Sequence, residues 1–293
     1  MKGQFDHQVM QSFLLWFDHN LMLKGEAYTN TSGQYYDVYD QYDGFYSYAL
    51  PYKQIVADHS ITGATDYIPT GVYLGGDFIT PSGTNGPDAY DSFRDIDYSN
   101  GTVNFVSGQT DTITSVYSVK DFSTYLSSES EEKLLFETKY KLSSDVIQSV
   151  SGLAPKEVTY PVCFVLNKGS RNEGFTFAGM DQTVMDIRVL VLADSQFDLD
   201  GIGSIFRDKV QTHIAMLKAS ENPFNVFGGY KNHTNFNYTG VINGKGVIDR
   251  LYVNEVAVST TDRLGSEVSN NNPDIFFGMI DFEAIAYRYP RGS

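Results

Sequence analysis

The 293-residue chain has one cysteine, Cys163, and one tryptophan. A single cysteine excludes an intrachain disulfide, and its setting in the apolar run "YPVCFVL" makes it a core residue. Such usage fits a chain made in a reducing cytoplasm. No apolar run reaches the ~18 residues that a membrane-crossing helix needs, so no such helix and no membrane partner are expected. Basic residues are scarce: 21 Lys and Arg stand against 36 Asp and Glu, a formal net charge of −15. Phosphate backbones require a basic face, so this balance argues against a general nucleic-acid binder. It is compatible with a pore through which DNA passes without specific binding. The five histidines, His7, His19, His59, His213 and His233, match no zinc-binding spacing. They read as surface or partner-contact residues. Neither G-x-S-x-G nor a phosphate-binding G-x-x-x-x-G-K-[ST] occurs. The motifs therefore give no catalytic residue, no cofactor and no metal.

What the chain does have is aromatic and turn-rich. Hydrophobic residues make up 41% and charged residues 19%, which places it among globular proteins. The 21 Tyr, 20 Phe and 26 Gly lean toward β-structure with frequent turns. The start, "MKGQFDHQVMQSFLLWFDHN", carries acidic residues and no small-residue cleavage site, and is expected to be a helix of the mature protein. Over residues 8–24, Met10, Phe13, Leu14, Phe17 and Leu21 give one apolar stripe, and Gly25 closes it.

Residues 27–52 hold eight Tyr and few aliphatics, a poor composition for a core. Tyrosine joins a large flat face to a polar tip and is favoured where proteins meet. This segment reads either as a surface loop or as a contact arm between subunits. The candidate contacts are Tyr28, Tyr35, Tyr36, Tyr39, Tyr42, Phe45, Tyr46 and Tyr48. On the arm reading, its deletion would leave a folded monomer. Residues 53–126 read as short strands in a small β-sandwich or meander. Gly75-Gly76 and Asn100-Gly101 mark hairpin turns. "DIDYSNG" is out of step with a calcium loop and is better explained by that turn. In "SSESEEKLLFETKYKL", Ser128 with Glu131 matches a capping box and a helix start, but alternation from Leu134 to Leu142 favours an acidic turn followed by a strand, and a boundary is placed there. Residues 127–293 then form an α+β unit. Two strands lie in "VTYPVCFVLN" and "TVMDIRVLVLA", joined by a glycine-rich link. A helix carries Ile202, Ile205, Phe206, Val210, Ile214 and Leu217 on one face, a polar loop spans 225–246, and two strands close the chain. The fold class expected is strand-dominated α+β in three parts, 1–52, 53–126 and 127–293.

The acidic corner "ADSQFDLDG" sets Asp194, Asp198 and Asp200 at the start of that helix. Paired carboxylates can act as acid and base in a glycoside hydrolase. Ser195 with Asp198 also matches a capping box, and acidic residues suit a helix N-terminus, so a cap is the reading adopted. The loop 227–238 interleaves aromatics with Lys231 and His233; with a single Lys it reads as a solvated loop, and it would be the site only in a protein that binds host glycans.

Three stretches together resemble virion structural proteins of tailed bacteriophages. They are "FDHNLMLKGEAYTNTSGQYY…YALPYKQIVADHSITGA…GVYLGGDFI", "IDYSNGTVNF…ITSVYSVKDFSTYLSSESEEKLLFETKY" and "TYPVCFVLNKG…FAGMDQTVMDIRVLVLADSQFDLDGIGSIFRD…PDIFFGMIDFEAIAYRYPR". The order of elements after residue 158 resembles neck and tail-terminator proteins, in which a sheet flanked by helices assembles into a ring at the head–tail junction. The chain is longer than the small members, and its 53–126 region has no counterpart in them. The resemblance implies a non-enzymatic structural role in the virion, assembled in the host bacterial cytoplasm. It implies partners among its own copies, as a ring such as a hexamer, and among neighbouring neck, portal-adaptor or tail tube and sheath proteins. The alternative is a tail-tip, decoration or adhesin protein that binds host surface glycans.

Overall fold

In the computed structural model, the described residues are 5–38, 46–52, 54–83, 86–136, 140–141, 158–174, 180–218, 220–224, 230–231, 235–246, 249–259 and 275–288. Helix α1 spans Phe5–Gly25. Nine strands follow: β1 (Tyr28–Gln34), β2 (Tyr36–Asp37), β3 (Tyr46–Ala49), β4 (Val72–Leu74), β5 (Asp77–Pro81), β6 (Ala89–Tyr90), β7 (Phe93–Asp97), β8 (Thr102–Phe105) and β9 (Ile113–Lys120). They form a five-stranded sheet in the order β1-β9-β4-β5-β6 and a four-stranded sheet in the order β2-β3-β8-β7. Next come β10 (Ser123–Ser127), α2 (Glu131–Phe136), β11 (Tyr140–Lys141), β12 (Val158–Thr159), β13 (Val162–Gly174), β14 (Asp181–Ala193) and α3 (Gln196–Arg207). β15 (His213–Ala215), α4 (Tyr238–Asn243), β16 (Arg250–Ser259) and β17 (Phe276–Arg288) complete the chain. A six-stranded sheet runs β10-β13-β14-β17-β16-β15, and β11 pairs with β12. The fold is strand-dominated α+β with an N-terminal helix, and one of its sheets curls into a half-barrel.

Strand pairing crosses the divisions drawn from sequence. β1 pairs antiparallel with β9, and β3 with β8, so β1 and β3 belong to the same sheets as strands of the following segment. β10 straddles the division at 126 and pairs in parallel with β13 of the large sheet. One continuous core joins α1, both smaller sheets and one face of the six-stranded sheet. The reason is the composition of α1. It buries Val9, Met10, Phe13, Trp16, Phe17 and Leu21 on one broad face, and Met22 beyond it. Its polar residues are matched with partners. Ser12 Oγ donates to the Gln8 carbonyl at 2.6 Å and accepts from Leu217 N at 2.8 Å. Asp18 accepts from Lys120 Nζ at 2.7 Å and from Thr124 Oγ1 at 2.8 Å. Phe17 stacks on Phe206 of α3 with centroids 4.0 Å apart.

Strand β14 shows how one sequence serves both faces of a sheet. Met185, Ile187, Val189 and Val191 join the main core. Leu190 and Leu192 point the other way, into a second cluster with Phe164, Phe277 and Met279, covered by Leu134 and Leu135 of α2. That cover corrects the first part of the strand expected over 134–142: Tyr140–Lys141 form β11, whereas residues 134–136 are helical. The amides of Lys133 and Leu134 bond to the side chain and the carbonyl of Ser130, so a capped helix forms there. The helix expected to reach Leu217 ends at Arg207. Gln211 adopts φ 64°, and Ile214 enters β15 on the edge of the sheet. The 225–246 stretch, expected as loop, holds α4, capped by Asn237 Oδ1 accepting from Gly240 N at 2.7 Å.

Candidate assembly surface

The hairpin β4–β5 turns on Gly75 and Gly76, at φ 61° and 105°, a conformation that side chains with a β-carbon rarely adopt. A two-residue turn fixes register: Val72 lies opposite Ile79, and Tyr73 opposite Phe78. Strand alternation then sends the first pair inward and the second outward. Val72 is fully buried, whereas Tyr73 and Phe78 are 45% and 39% exposed, with ring centroids 5.3 Å apart. The Phe78 ring lies over Gly71, where a β-carbon would stand 2.7 Å from it. On the same outer face β9 sets Thr114 opposite Tyr73 and presents Val116, 42% exposed. β1 continues it with Ser32 opposite Val116 and Gln34 opposite Thr114. Tyr67, on a 3-10 turn packed against β9, is also exposed. In a chain of net charge −15, these strand positions carry no charged side chain.

The tyrosines proposed as contacts fall into different classes. Tyr35 and Tyr48 are buried at 2% and 6% exposure and belong to the core. Tyr35 Oη bonds Ser115 Oγ at 3.0 Å, and Tyr48 Oη accepts from Gln109 N at 2.6 Å. Burial holds the Tyr35 phenol well above its usual range. These two are corrected from contact residues to core residues. Tyr28 packs against the core with its hydroxyl over Gly63, and Tyr36 is half-buried. Tyr46 presents surface, at 46% exposure. Tyr39, Tyr42 and Phe45 lie outside the described residues. The described strands of the segment, β1, β2 and β3, are members of two sheets.

Two further groupings carry polar chemistry. His19 Nδ1 lies 2.7 Å from Asp58 Oδ2, and the other oxygen, Oδ1, accepts from Ser60 N, Ser60 Oγ and Tyr238 N at 2.9, 2.7 and 3.0 Å. The serine and the imidazole occupy different carboxylate oxygens. The cluster ties α1, the turn after β3 and α4 together. His19 is therefore buried, contrary to the surface position expected, whereas His213 is exposed and packs on Tyr252. His7 is exposed, His59 is half-buried, and His233 lies outside the described residues. The loop expected to offer aromatics to a glycan directs Tyr230, Phe236 and Tyr238 into the core, at 8%, 6% and 3% exposure.

On the outer face of the six-stranded sheet, Arg188 holds Asp281 at 2.6 and 3.1 Å and Glu131 at 3.1 Å. Arg171 reaches Glu173, Asp186 and Glu283. This face is charged, and its cations are engaged with neighbouring carboxylates.

The acidic corner is a cap. Ser195 Oγ accepts from Asp198 N at 3.1 Å and donates to Asp198 Oδ2 at 2.5 Å, while Asp200 accepts from Gln196. Cys163 is fully buried, and that burial, with Asp18 nearby, pushes its thiol up. Among the described residues no group of three or more His, Cys, Asp or Glu is placed to hold a metal ion, and no helix is long and apolar enough to cross a membrane. Reasoning from sequence missed Tyr73, Phe78 and Val116 as surface features. The Gly-Gly turn is legible in the sequence, but which face of the sheet stays open is not. No protein-family model matches the chain, and no curated protein matches it.

Proposed function

We propose that this protein is a self-assembling structural subunit of a tailed-phage virion, acting by shape in a ring at the neck or tail junction. The observation that carries the assembly reading is the open face of the five-stranded sheet: uncharged, centred on Tyr73 and Phe78, on an otherwise acidic body. Interface centres are depleted of charge and enriched in aromatics. Exposed apolar patches rimmed by polar residues mark such sites. The virion setting comes from the sequence resemblance, and the partners there are further copies and the adjoining neck, portal-adaptor or tail proteins. Tyr230, Phe236 and Tyr238 of the 227–238 loop are buried and offer no surface to a glycan.

The test is the solution mass by light scattering after size exclusion. A discrete oligomer such as a hexamer is expected, and its population should rise with added salt, which screens repulsion between acidic copies. Tyr73→Asp with Phe78→Asp should return a folded protein of lower mass, because the contacts made through this face are lost. A wild-type monomer at every concentration and salt would overturn the reading.

A further inference from the structure

We infer that the open face of the five-stranded sheet packs against the same face of a second copy across a two-fold axis, an inference that rests on the assembly reading above. Each copy carries a net charge of −15, so contact through most of its surface brings carboxylates together. Here the strands place Ser32 and Gln34 on β1, Thr114 and Val116 on β9, and Tyr73 and Phe78 on the hairpin, with no carboxylate among them. The outer face of the six-stranded sheet offers no such uncharged patch, because Asp186, Glu283 and Asp281 there are paired with Arg171 and Arg188. Hydroxyls and side-chain amides both donate and accept, so Ser32, Gln34 and Thr114 can hydrogen-bond to their own images. An ionised carboxylate or ammonium cannot do so. The exposed Tyr73–Phe78 pair likewise meets its image as ring against ring, a favourable aromatic contact. Chemistry that is complementary to itself is what a two-fold, isologous interface requires. Head-to-tail contacts that close a ring must use other surfaces, and the two together give an even number of copies.

The chain's single cysteine is buried, so a cysteine introduced on this face is its one accessible thiol. Val116→Cys, with Thr114→Cys as a second variant, is to be oxidised mildly beside Glu173→Cys on the exposed end of β13, with the unmodified protein's mass measured in parallel. Residues near a two-fold axis face themselves, so the Val116 or Thr114 variant should give about ten-fold more disulfide-linked dimer than the Glu173 variant. An oligomer of even copy number with that dimer supports the inference. An oligomer in which neither face variant exceeds the Glu173 variant overturns the two-fold contact and leaves the assembly reading standing. A monomer with no dimer from any variant overturns both.

Discussion

His19 of α1 and Asp58, 39 residues away, form a buried pair with Nδ1 and Oδ2 2.7 Å apart. The imidazole packs on Tyr238 of α4 with centroids 4.5 Å apart, so the pair joins three distant parts of the chain. Burial by itself would raise the Asp58 carboxyl. The hydrogen bonds from His19, Tyr238 N and Ser60 together outweigh it and hold the group below its ordinary 3.8.

Asp58→Ala strands the buried imidazole and two backbone donors, and should cost ~3–5 kcal/mol. Because the folded value is lowered, the Asp58 contribution is present above the unfolded carboxylate value and lost as pH falls through the folded one. Denaturant unfolding at neutral pH and near pH 3 checks this. The wild type should lose stability between the two conditions, and Asp58→Ala should lose less.

Asp97 is expected to act in the opposite sense. Burial is the leading cause that pushes its carboxyl from 3.8 up to about 6, against hydrogen bonds from Asn100 and from the amides of Ser99 and Asn100. A raised folded value means that its stabilisation is complete below the unfolded value and declines as pH rises from 3.8 to about 6. The loss is on the order of 3 kcal/mol at most. Asp97→Asn should flatten that part of the stability–pH curve, read from melting temperatures across the window.

Gln54 seals the outer edge of β10. Its amide donates to the Thr124 carbonyl at 3.0 Å and accepts from Thr124 N at 3.1 Å, imitating a neighbouring strand. Gln54→Ala leaves two buried backbone groups unpaired and should destabilise by ~1–3 kcal/mol. The amide proton of Thr124 should exchange faster in the variant, measured by hydrogen–deuterium exchange.

The tyrosines should divide by burial. Tyr35→Ala opens a cavity beside Ser115 and should cost ~3–5 kcal/mol, whereas Tyr46→Ala should stay within ~0.5 kcal/mol. Deleting residues 27–52 removes β1, β2 and β3 and should abolish folding, visible as loss of near-ultraviolet circular dichroism. A folded deletion variant would mean that the five- and four-stranded sheets hold without their edge strands.

Much of the local structure was readable before the fold. The Gly75-Gly76 turn, the Ser195–Asp198 cap and the apolar run of β14 each depend on neighbouring residues, and each appears where the sequence places it. The Asp97 turn is similar: its Oδ1 accepts from Ser99 N at 2.9 Å, a contact two residues away. Errors arose where distant partners decide the outcome. Leu134 and Leu135 alternate like a strand with their neighbours, yet both are buried on a helix because the outer face of the large sheet needs a cover. Tyr35 looked like surface by composition, and became core because Ser115, 80 residues on, supplies its hydrogen bond.

Sequence alone determined the strand-dominated α+β class, the helix at the start, the sharp turns and the acidic character, since these follow from composition and from spacing within a few residues. Tertiary structure decided which aromatics are buried and which are offered. Tyr35 and Tyr73 are the same residue type in similar β-rich surroundings, at 2% and 45% exposure. Burying a phenol requires a hydrogen-bond partner and matching apolar neighbours, and only the packing of sheets against α1 brings those together. The same packing leaves the outer face of the five-stranded sheet uncovered among the described residues, which is why the surface proposed to mediate assembly could not be read from the order of residues.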